Sequence, residues 1–203
     1  MNNVLKKACV LTASIFTINA NAETEGKGFF DLGFGMHKGE MQNVKLAPQL
    51  NGIELKGNSF GVKLGYAKDV NESLFYGFGG ELYFGGGKGE RAFRTGGVKS
   101  YSLKGGSGLN FFGMAGINIV KELSVYAKLG LGWNFYKEER SGFNNALTTV
   151  NVGTGGILYG FGTSFNVNKD YSIFAEYTIL DYVDKNDAEL ATNVISVGFR
   201  FFF

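Results

Sequence analysis

Cysteine, proline, histidine and tryptophan each occur once in the 203 residues. The lone cysteine, Cys9, sits in an apolar run near the N-terminus. Disulfides, thiolate metal sites and a cysteine nucleophile are therefore excluded from the rest of the chain. One histidine, His37, without cysteine partners gives no pattern for a metal centre. No stretch of 18 apolar residues exists, which excludes a bundle of membrane-spanning helices. A charge excess is missing too, as shown below, so nothing points to nucleic acid. What is abundant is glycine, at 32 residues, with 20 Phe and 10 Tyr. Glycine at that level is compatible with disorder, and the aromatic content argues against it.

The N-terminal segment reads as a secretory signal. Lys6 and Lys7 precede the apolar run Ala8 to Ile18, followed by Ala20-Asn21-Ala22. A basic start, a short apolar centre and small residues in an A-x-A arrangement predict cleavage after Ala22. Cys9 lies within the run, away from the cleavage point, so lipoprotein processing is not expected. Removing residues 1–22 takes away two lysines and no acid, leaving basic residues equal in number to the 18 acidic ones. Residues 23–203 are expected to form one domain.

Eight segments in that domain alternate apolar residues with small or polar ones, the period of a strand with two different faces. The apolar faces are Phe30, Leu32, Phe34 and Met36; Phe60, Val62, Leu64 and Tyr66; Tyr76, Phe78, Leu82 and Phe84; and Leu109, Phe111, Ala115, Ile117 and Ile119. The pattern continues with Val125 to Phe135, Ile157 to Phe165, Tyr171 to Ile179, and the last strand through Ile195, Val197, Phe199, Phe201 and Phe203. Each runs about nine residues or more, the length a tilted strand needs to cross hydrocarbon. The opposite faces are chiefly Gly, Ser and Asn with a few charges. A soluble sandwich or lipocalin-like barrel would put a solvated surface there. A narrow membrane barrel instead wants small residues in its lumen. Connections alternate short (Asp69 to Ser73, Lys121 to Leu123, Asn168 to Asp170) and long. The fold class expected is all-β: an eight-stranded antiparallel up-and-down transmembrane β-barrel, with long loops outside the cell and both termini in the periplasm.

Six charges fall on lumen positions: Asp31, Lys63, Glu81, Lys128, Glu176 and Arg200. Isolated charges in a narrow lumen are costly, so a network of ion pairs is expected. The second long connection, about Gly85 to Ser107, carries Lys88, Arg91, Arg94, Lys99 and Lys104 against Glu90. The fourth carries Asp181, Asp184, Asp187 and Glu189 against Lys185. The basic connection is the candidate for binding anions: lipopolysaccharide phosphates, sulfated glycans or an acidic protein surface. His37, expected at the rim, is the one base available to a Ser/His/acid site with Ser100, Ser102, Ser107 or Ser141. Gly85-Gly86-Gly87-Lys88-Gly89 lacks the Ser/Thr and the helix of a phosphate loop. Asp69-Val70-Asn71-Glu72-Ser73, in a short turn, fits an acceptor sequon for bacterial N-glycosylation.

These features together resemble the small eight-stranded outer-membrane barrels of Gram-negative bacteria, the Ail/OmpX, opacity-protein and OmpA transmembrane-domain group. The residues that carry the resemblance are the signal from Lys6-Lys7 to Ala22, the eight alternating segments and the ending Phe199-x-Phe201-x-Phe203. The resemblance implies that this ending is read by the barrel assembly machinery. It also implies that Lys63, Glu81, Lys128, Glu176 and Arg200 form a lumen network, and that the protein is a monomer needing no cofactor. For function it implies a non-enzymatic surface protein whose external loops bind a host ligand or glycan, or an envelope component such as lipopolysaccharide. The alternatives are a small pore and a lipid-modifying enzyme using His37.

Overall fold

In the computed structural model, residues 26–42, 51–92, 98–142, 147–183 and 189–203 are described. The signal segment, Arg94, Asp184, Lys185 and Asp187 lie outside them. Nine strands are present among these residues: β1 (Lys27–Gln42), β2 (Glu54–Asp69), β3 (Leu74–Gly85), β4 (Lys88–Ala92), β5 (Val98–Asn118), β6 (Leu123–Gly142), β7 (Leu147–Asn166), β8 (Tyr171–Val183) and β9 (Glu189–Phe202). Strands β3 and β4 are two halves of one stave, because both pair with β2 on one side and β5 on the other. Every neighbouring pair is antiparallel, and β1 pairs with β9, so eight staves close into a barrel. Reciprocal bonds of 2.9 Å between Gly28 and Phe203 finish the seam.

The alternation decides which face goes where. Phe34, Met36, Phe78, Phe84, Phe111, Phe161, Val197 and Phe199 point outward and are about half exposed or more. Asp31, Lys63, Lys128, Glu176 and Arg200 are buried inside. On β6 the outward apolar positions run from Val125 to Phe135. Ten residues of tilted strand, at about 2.5 Å of height each, give a belt of about 25 Å, which matches the hydrocarbon core of an outer membrane.

The turns at one end are short and built by side chains. Asn71 Oδ1 accepts from the N–H groups of Ser73 and Leu74 at 2.9 and 2.8 Å. Asn168 Oδ1 does the same for Asp170 and Tyr171 at 2.8 and 2.9 Å. Asn71 of the sequon is therefore a turn-forming residue. At the other end the strands continue well past the apolar belt. Most of the segment expected as a long basic loop is a β4–β5 ladder, running from Lys88↔Lys104 to Ala92↔Ser100. That extension has its own apolar filling, with Ile53, Leu55, Tyr101, Leu103, Tyr136 and Leu190 all buried. Burial of these alternate residues is why the chain stays in strand where its charge suggested a loop.

The break between β3 and β4 is Gly85-Gly86-Gly87, with φ of +100°, +125° and +100°. Side chains disfavour that backbone, so the run of three glycines is a bulge. It faces a second irregularity between Gly105 and Ser107 on β5. Lumen glycines serve a different need, which is room. A Cβ on Gly130 would lie 2.0 Å from the Phe111 carbonyl oxygen, whereas one on outward-facing Gly113 would make only an ordinary contact, 3.9 Å from the Gly77 carbonyl oxygen. Gly130→Ala is therefore expected to destabilise the barrel by about 1–3 kcal/mol. Gly113→Ala should cost less than about 0.5 kcal/mol. Urea unfolding midpoints of the two variants refolded into lipid vesicles measure the difference, and equal midpoints would contradict the packing described.

Candidate functional site: the filled lumen and the charged rim

Cross-strand register sets the lumen charges side by side. Arg200 is opposite Asp31, Asp31 opposite Lys63, Lys63 opposite Glu81, and Glu81 opposite Asn110. The signs alternate along this row. Arg200 grips Asp31 through two bonds of 2.8 Å, the paired geometry that suits a guanidinium. Glu176, from the far wall, accepts from Lys63 at 2.5 Å and from Lys128 at 2.7 Å. Tyr126 donates to its other oxygen at 2.8 Å. Lys63 also lies 3.9 Å from Glu81, whose second oxygen takes a 3.0 Å bond from Asn110. All six lumen charges of the sequence reading are thus brought together in two contiguous clusters.

Aromatic rings fill the space between the charges. Lys63 sits 4.4 Å from the Phe174 ring centre and Arg200 sits 4.4 Å from that of Phe29. Lys128 lies 5.2 Å from Phe112. Each ring needs a bare backbone beside it. A Cβ on Gly65 would fall 2.3 Å from Phe29, one on Gly162 2.6 Å from Tyr126, and one on Gly108 2.2 Å from Tyr83. Phe29, Leu158 and Phe174 are wholly or almost wholly buried. Sequence reasoning missed Phe29, Phe174, Leu158 and Tyr126 as lumen residues. The signal was available, because all four hold inward parity on their strands. Reading apolar residues as outward by default concealed it.

His37 is not a rim residue. It is 5% exposed, its Nε2 lies 2.6 Å from Ser59 Oγ, and its ring is 5.7 Å from that of Tyr83. The strands extend beyond it, which places the side chain within the tube rather than at its mouth. Ser59, which sequence reasoning did not single out, is its hydrogen-bond partner. Ser100, Ser102, Ser107 and Ser141 are not. Beside the pair is a cavity of about 30 Å³ lined by residues including Lys63, Glu81 and Asn110. That is room for about one water molecule.

Three of the basic positions on the extension have partners within the chain. Lys88 pairs with Glu90 on its own strand. Lys104 Nζ lies 2.9 Å from Glu139 of β6. Its hydrogen bond to Glu139, with Lys137 on the other side, holds that carboxyl below the usual carboxylate range. Arg91 Nη1 donates to the Asn51 carbonyl at 2.7 Å. Lys99 lies on β5. Phe199 points outward and is 60% exposed, while the Phe201 ring stacks edge-on against Tyr171 at 5.4 Å. Phe203 is held at the β1 seam. Among the described residues no group of His, Cys, Asp and Glu is arranged to hold a metal.

Removing one partner from a buried ionic cluster leaves charges without compensation. Glu176→Gln strips the carboxylate shared by Lys63 and Lys128, and the barrel is expected to lose about 3–5 kcal/mol. Adding Lys128→Met to that variant should restore part of the loss. Urea unfolding in vesicles distinguishes the two, and an unchanged midpoint for Glu176→Gln would refute the network as a stabilising element.

The family model of the outer membrane protein beta-barrel domain matches residues 8–203. None of the curated proteins matches the chain. Among solved structures, the attachment invasion locus protein Ail of Yersinia pestis is similar at 20% identity and a TM-score of 0.51, over 87% of this chain and 99% of Ail. Neisserial surface protein A is similar at 15% identity and a TM-score of 0.51, over 88% of this chain and 99% of that one. The outer membrane protease OmpT of Escherichia coli aligns over 93% of this chain and 99% of its own, at 10% identity and a TM-score of 0.49. At such identities the likeness is one of fold. With the closed eight-stave barrel, its apolar belt and the family match over nearly its whole length, the chain belongs to the outer membrane protein beta-barrel family.

Proposed function

We propose that the protein is a non-catalytic, non-conducting surface protein of the outer membrane whose long-connection end faces the medium and binds host or envelope ligands. The observation that carries this reading is the filled lumen. Two ionic clusters, the rings of Phe29, Phe112 and Phe174, and the apolar group around Leu55 and Leu103 occupy the bore. A narrow barrel packed in this way leaves its rim as the place for recognition. The short asparagine turns then lie in the periplasm with both chain ends, in keeping with a signal cleaved after Ala22. The Phe199, Phe201 and Phe203 face is the strand that the assembly machinery reads.

The same packing argues against chemistry at His37. Its partner Ser59 is buried with it, and the apolar cluster of the extension includes Leu55 on β2 and Leu103 on β5. A serine–histidine site must admit a substrate carbonyl beside the hydroxyl, and the cavity beside this pair measures about 30 Å³.

Three measurements test the reading. In planar bilayers the purified barrel is expected to give no stable channels, and reproducible unitary conductance would replace the surface-binding reading with the pore. Arg91→Glu with Arg94→Glu is expected to lower adhesion of expressing cells to glycosaminoglycan-coated surfaces several-fold. Adhesion at the parental level would remove the basic connection from the reading. His37→Ala should leave the lipid A mass profile as it is with the parent protein; a shift between the two would favour the enzyme.

A further inference from the structure

At the short-turn end the mouth of the bore is tied together in one repeated way. Asn118 donates to the carbonyls of Ser73 and Glu72, through its N–H at 2.8 Å and its Nδ2 at 3.3 Å. Asn166 does the same for Glu122 and Lys121 at 2.7 and 3.1 Å. At the third turn the Phe202 N–H donates to the Asp170 carbonyl at 2.9 Å, and Lys27 Nζ to that of Lys169 at 3.4 Å. Each turn is thus held by a stave outside its own hairpin, and the lysines at 121 and 169 sit on anchored backbone.

Inside this ring of turns is a cavity of about 220 Å³, distinct from the small one beside His37. Four lysines, Lys27, Lys68, Lys121 and Lys169, line it, and Asp69 is the one carboxylate among its described lining residues. Glu72, Glu122 and Asp170 of the same turns are exposed and do not line it. Lys27 holds the inward parity of Phe29 and Asp31, and its Nζ lies 5.9 Å from the ring centre of Phe202, so it stands over the bore. Arg200 also lines the cavity, but Asp31 answers its charge. A concave wall of one sign focuses its field on the space it encloses.

The cavity also holds a donor in need of an acceptor. Ser164 is 5% exposed, and its Oγ has no hydrogen-bond partner among the described residues. Ser124, directly opposite, does not serve it, because that hydroxyl donates to Asn118 Oδ1 at 2.8 Å. A buried hydroxyl left unpaired carries a cost that an acceptor entering the cavity removes. Phe75 and Phe202 give the same space an apolar side.

We infer that the short-turn mouth of the barrel is a binding site for a small soluble organic phosphate monoester. The excess of ammonium groups calls for a ligand with more than one negative charge. A monoester supplies that charge on three acceptor oxygens, enough to meet lysines of different turns and the Ser164 hydroxyl together. Its carbon part lies against Phe75 and Phe202. The anchored turns hold the lysines in place before the ligand arrives, which lowers the entropy lost on binding. That the ligand comes from the periplasm rests on the sidedness proposed above; the site itself does not.

Amide NMR shifts of the nitrogen-15-labelled full chain in uncharged detergent micelles, titrated with glycerol 3-phosphate, test this. Saturable shifts are expected at Lys27, Asn118, Ser164 and Asn166, with the long-connection end unmoved, and affinity should fall as salt is raised. Lys121→Gln with Lys169→Gln should weaken binding about tenfold, and Ser164→Ala several-fold. Lys38→Gln with Lys137→Gln removes equal charge at the other end and should bind like the parent. Heat-dependent electrophoretic mobility establishes that each variant is folded. Shifts that never saturate, parental affinity in both short-turn variants, or equal weakening by the Lys38 and Lys137 pair would overturn the proposal. Citrate binding as tightly as the monoester would overturn the phosphate assignment. Loss of binding when phosphatidylglycerol is added to the micelles would overturn the soluble ligand in favour of a lipid headgroup. Proteolysis of intact cells that cuts the short turns would overturn the periplasmic source, whatever the titration gives.

Discussion

Hydrocarbon offers no hydrogen bonds, so every peptide group inside the belt must find its partner within the sheet. The β1–β9 ladder, fourteen residues long from Phe29↔Phe202 to Gln42↔Glu189, meets that requirement by joining the first and last staves. Closure with eight staves makes a bore just wide enough for side chains to fill. The rest of the architecture follows from that width. Large inward residues are accommodated only where a neighbouring strand offers a glycine. The inward charges lie so close together that they must alternate in sign.

The charges obey different rules on the two faces of one wall. Inside, Asp31 accepts from two of the three nitrogens of Arg200, and Glu176 accepts from two lysines and a tyrosine. A buried ion gains stability only when its partner and its remaining hydrogen bonds are supplied together, and this lumen supplies them with rings stacked on the cations. Outside, register sets Lys38, Lys56, Lys88, Lys104 and Lys137 opposite one another, one sign across five staves. Solvent screens that face, and carboxylates of the next pleat pair with Lys56, Lys88, Lys104 and Lys137, so like charges persist there. Solvation alone lets one sign repeat on the outer face where the lumen requires alternation.

Much of this was legible along the chain. The eight alternating segments, the short turns and the six lumen charges all follow from a period of two, because parity assigns each side chain to a face with no knowledge of its neighbours. The extent of the staves was not legible. Glycines at 85–87 and a run of basic residues read locally as a loop. The strand resumes there because Leu55, Leu103, Tyr101 and Leu190 bury one another across three staves, a non-local gain that no window of sequence contains. The position of His37 was misjudged for the same reason. Where a tube ends depends on pairing beyond the residue in question.

By itself the sequence determined the class of fold, the face on which each residue lies, and the separation of an apolar belt from a small-residue lumen. Those are properties of one strand and its period. Tertiary structure alone decided which charges touch, that Ser59 meets His37, that Phe29 and Phe174 rest on glycines of adjacent strands, and that five lysines distant in the chain stand in one line. Register is the physical reason. A shift of two residues between neighbouring strands keeps every side chain on its proper face and changes every partner, so the partners were set only when all eight staves closed on one another.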